Sequence, residues 1–157
     1  MRVGWGVDAH RFASSGHVLL GGVVADESRG VEATSDGDVV AHAVIDGILG
    51  AAALGDIGER HPGDDPRWQG ADSMVMLAET VADAADSGLV VSSVDVTVIA
   101  ERVRVAPHRA AIRAKLASVL GLDVGRVSVK ATTTDGMGFT GRGEGIAAMA
   151  VVVLEES

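Results

Sequence analysis

Three residues far apart in the chain have the types and spacing to hold a metal ion: Asp8 and His10, separated by one residue, and His42. If residues 2–11 form a strand, its period of two puts Asp8 and His10 on one face, and Gly4 and Gly6 leave that face clear. An Asp-His-His set suits the preference of zinc for nitrogen and oxygen donors, and three protein ligands leave one tetrahedral position for a substrate oxygen. On a helix, Asp38 and Asp46 lie one turn either side of His42 and could orient its imidazole. On spacing alone, two His and an Asp scattered over a short chain are more often ordinary surface side chains, as His17 and His108 are read to be. Zero cysteines exclude disulfides, thiolate metal sites and cysteine nucleophiles, and point to a reducing compartment.

A second candidate is Lys130 to Gly145, KATTTDGMGFTGRGEG. Three threonines run into a loop holding Gly136, Gly138, Gly141, Gly143 and Gly145, which offers hydroxyls and exposed backbone N–H groups. Arg142 could add a bidentate phosphate contact, so the stretch reads either as a diphosphate cradle or as a glycine-rich turn between strands. A third is a basic cluster, Arg102, Arg104, Arg109, Arg113 and Lys115, around a strand-to-helix turn before Pro107, where a helix N-terminus also favours anions. Arg109 and Arg113 read equally well as solvated helix charges. Gly55-Asp56-Ile57-Gly58 and Asp64-Asp65 could supply ligands, but their types favour turn caps.

The elements that must position these residues follow from periodicity. Residues 2–11 alternate as a strand, with Val3, Trp5, Val7 and Ala9 opposite the Asp8 face. Val18–Ala25 reads as a second strand, partnered as a hairpin, which Gly21 and Gly22 either break or bulge. A helix starts at Asp36 or Asp38 and runs through AHAVIDGILGAAAL, with Val40, Ala43, Val44, Gly47 and Ile48 inward. The stretch GDIGERHPGDDPRWQG reads as an irregular loop. Further helices occupy Asp72–Ser87 and Pro107–Leu120, and further strands Val94–Ala100 and Val127–Thr133. The last strand, IAAMAVVVL, is apolar on both faces and needs cover on both; helices can supply one side and a partner subunit could supply the other, so a homo-oligomer packed sheet to sheet is expected. The expected architecture is one α/β domain over residues 1–157: a mixed four-stranded sheet plus a small hairpin, helices on one face.

Composition narrows the function. At 157 residues the chain fits one domain with a real core. A net charge of −9 disfavours general binding to nucleic acid or anionic lipid, so an anion must be held by a local cluster. No apolar run reaches the ~20 residues of a membrane span, and no targeting segment is visible, so the expectation is a cytoplasmic protein without a membrane or nucleic-acid partner.

GWGVDAH, SDGDVVAHA, ALGDIG and VKATTTDGMGFTGRGEG together closely resemble the 2-C-methyl-D-erythritol 2,4-cyclodiphosphate synthase family of non-mevalonate isoprenoid biosynthesis. The similarity covers essentially the whole chain. It implies a homotrimer with sheets packed around a threefold axis and active sites between adjacent subunits. It also implies a lyase that turns 4-diphosphocytidyl-2-C-methyl-D-erythritol 2-phosphate into the cyclic diphosphate and CMP. On this resemblance Asp8, His10 and His42 ligate zinc, and Asp135 holds a second divalent ion, Mg2+ or Mn2+. Thr133 and Thr34 assist the reaction. The substrate side is implied to comprise Asp8, His10, Thr34, Ser35, Asp56, Ile57, Gly58, His61 and Asp65. The cytidine and diphosphate side comprises Ala100, Arg104, Val105, Ala106, Thr132, Thr133, Thr134, Asp135, Phe139 and Arg142. The chain departs from the family's habit at Thr34 (commonly His), Asp135 (usually Glu), His61 (usually aromatic), Trp5 (usually His) and Arg104 (usually Lys). Two rival readings use the same residues. One is a phosphohydrolase with metal-bound water as nucleophile, which would release an open-chain phosphate. The other is a nucleotide-binding trimer without turnover.

Overall fold

Alternation and helical periodicity place most elements within a few residues of where they lie in a computed structural model describing residues 1–157. Strand β1 is Arg2–Ala13, β5 Leu89–Ile99, β6 Val127–Thr132 and β7 Gly145–Glu156. Together with β4, a two-residue strand at Gly30–Val31, they form a five-stranded sheet in the order β4-β1-β7-β5-β6. β7 is antiparallel to both β1 and β5, whereas β5 and β6 are parallel, joined by a crossover through helix α4 (Arg109–Leu120). The expected four strands are therefore present, and β4 adds a fifth by pairing with Phe12 and Ala13.

The remaining strands correct the sequence reading. Val18–Ala25 is not one strand; β2 (Val18–Leu20) and β3 (Val23–Asp26) pair only with each other, turning at Gly21 and Gly22, both at positive φ. Two adjacent residues in the left-handed region make a hairpin turn rather than a bulge. The turn is fixed by Asp38. Its carboxylate accepts from Gly21 N (2.9 Å) and Gly22 N (2.6 Å) as well as from Val40 N and Ala41 N at the start of helix α1 (Val39–Ala52). Of the two acids that could have capped α1, Asp38 does so, and capping of this kind contributes about 1 kcal/mol.

The expected loop over residues 55–70 also contains structure: α2 (Ile57–Arg60), capped by Asp56, and a 3-10 turn at Pro66–Trp68, capped by Asp65. Proline and acidic residues at first turns are the reason, since they break longer helices but start short ones. Helix α3 is Ser73–Asp86 with Asp72 as its cap, and a 3-10 turn at Ala106–His108 leads into α4. Inside the glycine loop, Gly138–Gly141 forms the short helix α5.

Helix α1 is buried almost all round, with only Asp46 half-buried and Gly50 exposed, because it lies between the sheet and α3. It approaches β1 backbone to backbone. A Cβ on Gly4 would sit 1.9 Å from the Gly47 carbonyl oxygen, and one on Gly6 2.0 Å from that of Ala43. The inner sheet face, including Ile146, Ala148, Ala150, Val152 and Leu154, packs with the helices. The outer face is open: Trp5 is 63% exposed, Val3 61%, Val7 45%, Val151 41% and Met149 37%. No helix is long and apolar enough to cross a membrane.

Candidate active site

The close approach of α1 to β1 brings His42 over Asp8 and His10. Short side chains can meet only because glycines let the helix settle on the strand. His10 Nε2 lies 2.8 Å from Asp8 Oδ2, His42 Nδ1 lies 3.0 Å from the same oxygen, and the two ring nitrogens are 3.2 Å apart. Ligand atoms around tetrahedral zinc stand roughly 3.3 Å apart for bonds of 2.0–2.1 Å, so this donor set is within a few tenths of an ångström of a metal cradle. The charge also fits. Burial works against ionising Asp8, but its contacts with the neighbouring imidazoles, His10 first, hold its carboxyl well below the ordinary carboxylate range. Burial likewise works against charging His10, yet its bond to Asp8 raises its pKa above the ordinary histidine value. These three side chains form the one His/Asp/Glu cluster of metal-ligating geometry in the chain.

The far side of His42 corrects the expected orienters. Asp38 is fully buried as cap and hairpin anchor, and Asp46 accepts from Ile57 N at 3.3 Å at the start of α2. Neither bonds to the imidazole. His42 Nε2 instead meets Ser73 Oγ (2.8 Å) and Ser35 Oγ (3.0 Å), and Ser73 Oγ in turn bonds to Asp36. Ser73 carries no signature in the sequence: it is the first residue of a helix 31 positions away from His42.

Beside the triad is a pocket lined by Thr34, Ser35, Ile57, Gly58, His61 and Trp68, among others. His61 packs edge-on against Trp68, ring centroids 4.5 Å apart, with neither ring nitrogen hydrogen-bonded. Burial, then the nearby Arg60 charge, depress its pKa, so it is neutral at pH 7. Asp56 lies at the cap of α2. Asp65 faces Arg67, accepting from its backbone and guanidinium, so its carboxylate is already engaged.

The second group of expected residues is elsewhere. Thr132 ends β6; Thr133, Thr134 and Asp135 follow in an exposed turn where Asp135 takes φ +51° and its carboxylate lies 3.4 Å from Thr133 Oγ1. Ala100 N donates to Thr132 O, which docks the 100–106 segment beside this turn. Glu101, which the sequence reading passed over, accepts from Thr134 N and Gly136 N at 3.1 Å each and fixes the loop. Of the 100–106 residues, Ala100 and Val105 are buried while Arg104 and Ala106 are exposed. Arg142 is exposed and paired with Glu144 at 2.8 Å. Phe139 reaches back toward Ala9, His10 and Arg11. Arg113 is spent on the Val127 and Val124 carbonyls and Lys115 on that of Gly22, so both hold the fold together. With β6 three strands from β1, Thr132 stands roughly 14 Å from the triad, and no one pocket contains both the triad and the 132–135 turn, although Phe139 and His10 line a common one.

The YgbB family profile matches residues 1–155. The chain belongs to this family. It is 52% identical over 158 residues to the 2-C-methyl-D-erythritol 2,4-cyclodiphosphate synthase of Halorhodospira halophila, covering 100% of this chain and 97% of that protein. Its identity to the synthase of the same name from Alcanivorax borkumensis is 50%, over 99% of this chain and 97% of that one. Among solved structures it resembles the bifunctional IspDF of Campylobacter jejuni, with TM-score 0.96 and 39% identity over 99% of this chain; it spans 42% of that longer protein. A 2C-methyl-D-erythritol-2,4-cyclodiphosphate synthase in its CDP-bound form matches with TM-score 0.90 and 32% identity, over 98% of this chain and all of that one. The relatives carry the name of the cyclodiphosphate synthase family that the sequence motifs resemble.

Proposed function

We propose that this chain converts 4-diphosphocytidyl-2-C-methyl-D-erythritol 2-phosphate to the 2,4-cyclodiphosphate and CMP in isoprenoid biosynthesis, as a cytoplasmic homotrimer. The observation that carries the reading is the convergence of Asp8, His10 and His42 at the mouth of a pocket, in a chain matched end to end by synthases of that name. Zn2+ held by these three residues, with Mg2+ or Mn2+ at Asp135, would supply Lewis-acid contacts to the phosphate oxygens. The chain itself needs no nucleophile: the 2-phosphate oxygen attacks the β-phosphorus of the same molecule as the bond to the CMP oxygen breaks. Its task is to fold a flexible polyanion into line, and positioning of that kind is worth roughly 7 to 11 kcal/mol.

The pocket walls divide that task. Thr34, Ser35, Asp56, Ile57, Gly58 and His61, with Asp65 at the rim, take the methylerythritol end. Ala100, Arg104, Val105, Ala106, Thr132 and Thr133 take cytidine, while Thr134, Asp135, Phe139 and Arg142 border the diphosphate, with Thr133 and Thr34 donating hydrogen bonds to developing charge. The two groups stand apart on one subunit, which supports an active site completed by a neighbouring copy. The open apolar outer face supplies the surface for that assembly.

Turnover of the diphosphocytidyl substrate, followed by separation of CMP from the cyclic and open-chain products, tests the reading. The wild type yields CMP and the cyclic diphosphate in equal amounts. His42→Ala loses bound zinc by elemental analysis and loses turnover while keeping its far-UV circular dichroism. CMP with an open-chain phosphate in place of the ring, or full activity in zinc-free His42→Ala, overturns it.

A further inference from the structure

We propose that Asp36, acting through Ser73, sets the tautomer of His42 and so positions Nδ1 as a metal donor; this rests on the metal reading above. Proton counting fixes the direction of each bond in this chain. Asp36 is acceptor-only as a carboxylate, and its oxygens already accept from Ser73 N (2.9 Å) and Asp38 N (3.1 Å). Ser73 Oγ has a single proton, and its bond to Asp36 Oδ1 uses it. Ser73 is fully buried, so no water offers the proton another destination. Toward His42 it can present only lone pairs, and the 2.8 Å contact therefore requires a proton on Nε2.

That proton leaves the Nδ1 lone pair of a neutral imidazole aimed at Asp8 Oδ2 and His10 Nε2, 3.0 and 3.2 Å away. An imidazole that merely paired with Asp8 would carry its proton on Nδ1. The hydrogen-bond chain holds the proton on Nε2 instead, and on the neutral ring a cation at Nδ1 then satisfies both ends. Ser35 Oγ also lies near Nε2, but no carboxylate fixes the direction of its hydroxyl. Ser73 and Asp36 are thus positioning residues, the role the sequence reading gave to Asp38 and Asp46.

The test uses the full-length protein and Zn2+ as probe. Dissociation constants come from competition with a chromophoric chelator, and the protonated nitrogen of His42 from long-range 1H–15N spectra of the Zn2+-loaded protein. Ser73→Ala and Asp36→Asn weaken Zn2+ binding by about 10- to 100-fold. Ser73→Thr, which keeps the hydroxyl, stays closer to wild type than to Ser73→Ala. The wild-type spectrum shows His42 protonated at Nε2 and slow to exchange, and Ser73→Ala speeds that exchange. If Asp36→Asn does not fold, Ser73→Ala decides, since it leaves the backbone bonds to Asp36 in place. Equal Zn2+ affinity of Ser73→Ala and wild type, or a His42 proton on Nδ1, overturns the inference alone. A wild-type chain that takes up no Zn2+ overturns the metal reading and the inference with it.

Discussion

Thr133 and His61 show how much a single side chain can be asked to do at this site. Thr133 stands in an exposed turn with its hydroxyl committed only to a long contact with Asp135, so it is free to donate to a phosphate oxygen. Thr133→Val keeps the shape and removes the donor. It should lower kcat by roughly 10²-fold, as loss of one transition-state donor does, with CDP affinity by calorimetry changed far less. His61 is buried with no hydrogen bond to either ring nitrogen, and although the Glu79 carboxylate stands 3.8 Å from Nε2, burial and then the Arg60 charge depress its pKa. Below the ordinary histidine value of 6.5 the unfolded chain binds a proton there that the folded chain refuses, so stability is full above that pH and falls as the pH drops beneath it. In thermal melts, His61→Phe should therefore lose less between pH 7 and pH 5 than the wild type does. An identical loss would show that the imidazole is not what refuses the proton.

At the scale of elements, the decisive contact is helix on strand. The sequence reading placed Gly4 and Gly6 beside Asp8 and His10 and took them to leave the face open; the structure shows that α1 fills the opening. Gly6→Ala would drive a Cβ to 2.0 Å from the Ala43 carbonyl, and backbone cannot swing aside as a side chain can. The cost should reach about 3 kcal/mol, the upper part of the usual overpacking range, or a fall in Tm of roughly 6–12 °C. Because the helix that carries His42 would be lifted off β1, Zn2+ affinity should fall as well, measured by the same chelator competition. An unchanged Tm would mean that the two backbones are not in contact.

For the whole molecule, the outer sheet face poses the question of assembly. Val3, Trp5, Val7, Met149 and Val151 form one apolar strip, since β1 and β7 pair Trp5 with Val151 and Val7 with Met149. A strip of this kind on a sheet marks an interaction surface. In the proposed trimer, Trp5→Asp would bury an unpaired charge and should dissociate the assembly, so that light scattering during gel filtration reports the 15.9 kDa chain instead of three copies. Turnover should fall with it, because the triad and the 132–135 turn lie on opposite sides of the sheet order and would lose their complement. A wild type that runs as a monomer would remove the trimer from the account.

The sequence by itself determined most element types, the strand face that carries Asp8 and His10, an acidic cap at Asp36 or Asp38, the turn-capping character of Asp56, and the family, because each is encoded locally by period, cap chemistry or motif. Local signals could not show that Val18–Ala25 folds on itself, that residues 55–70 hold two short helices, or that α1 is buried on every side, since these depend on which neighbours arrive. Tertiary structure alone decided who supports His42. Ser73 and Asp36 reach it through packing of one helix start against a loop, and no spacing along a chain records a contact made across 31 residues.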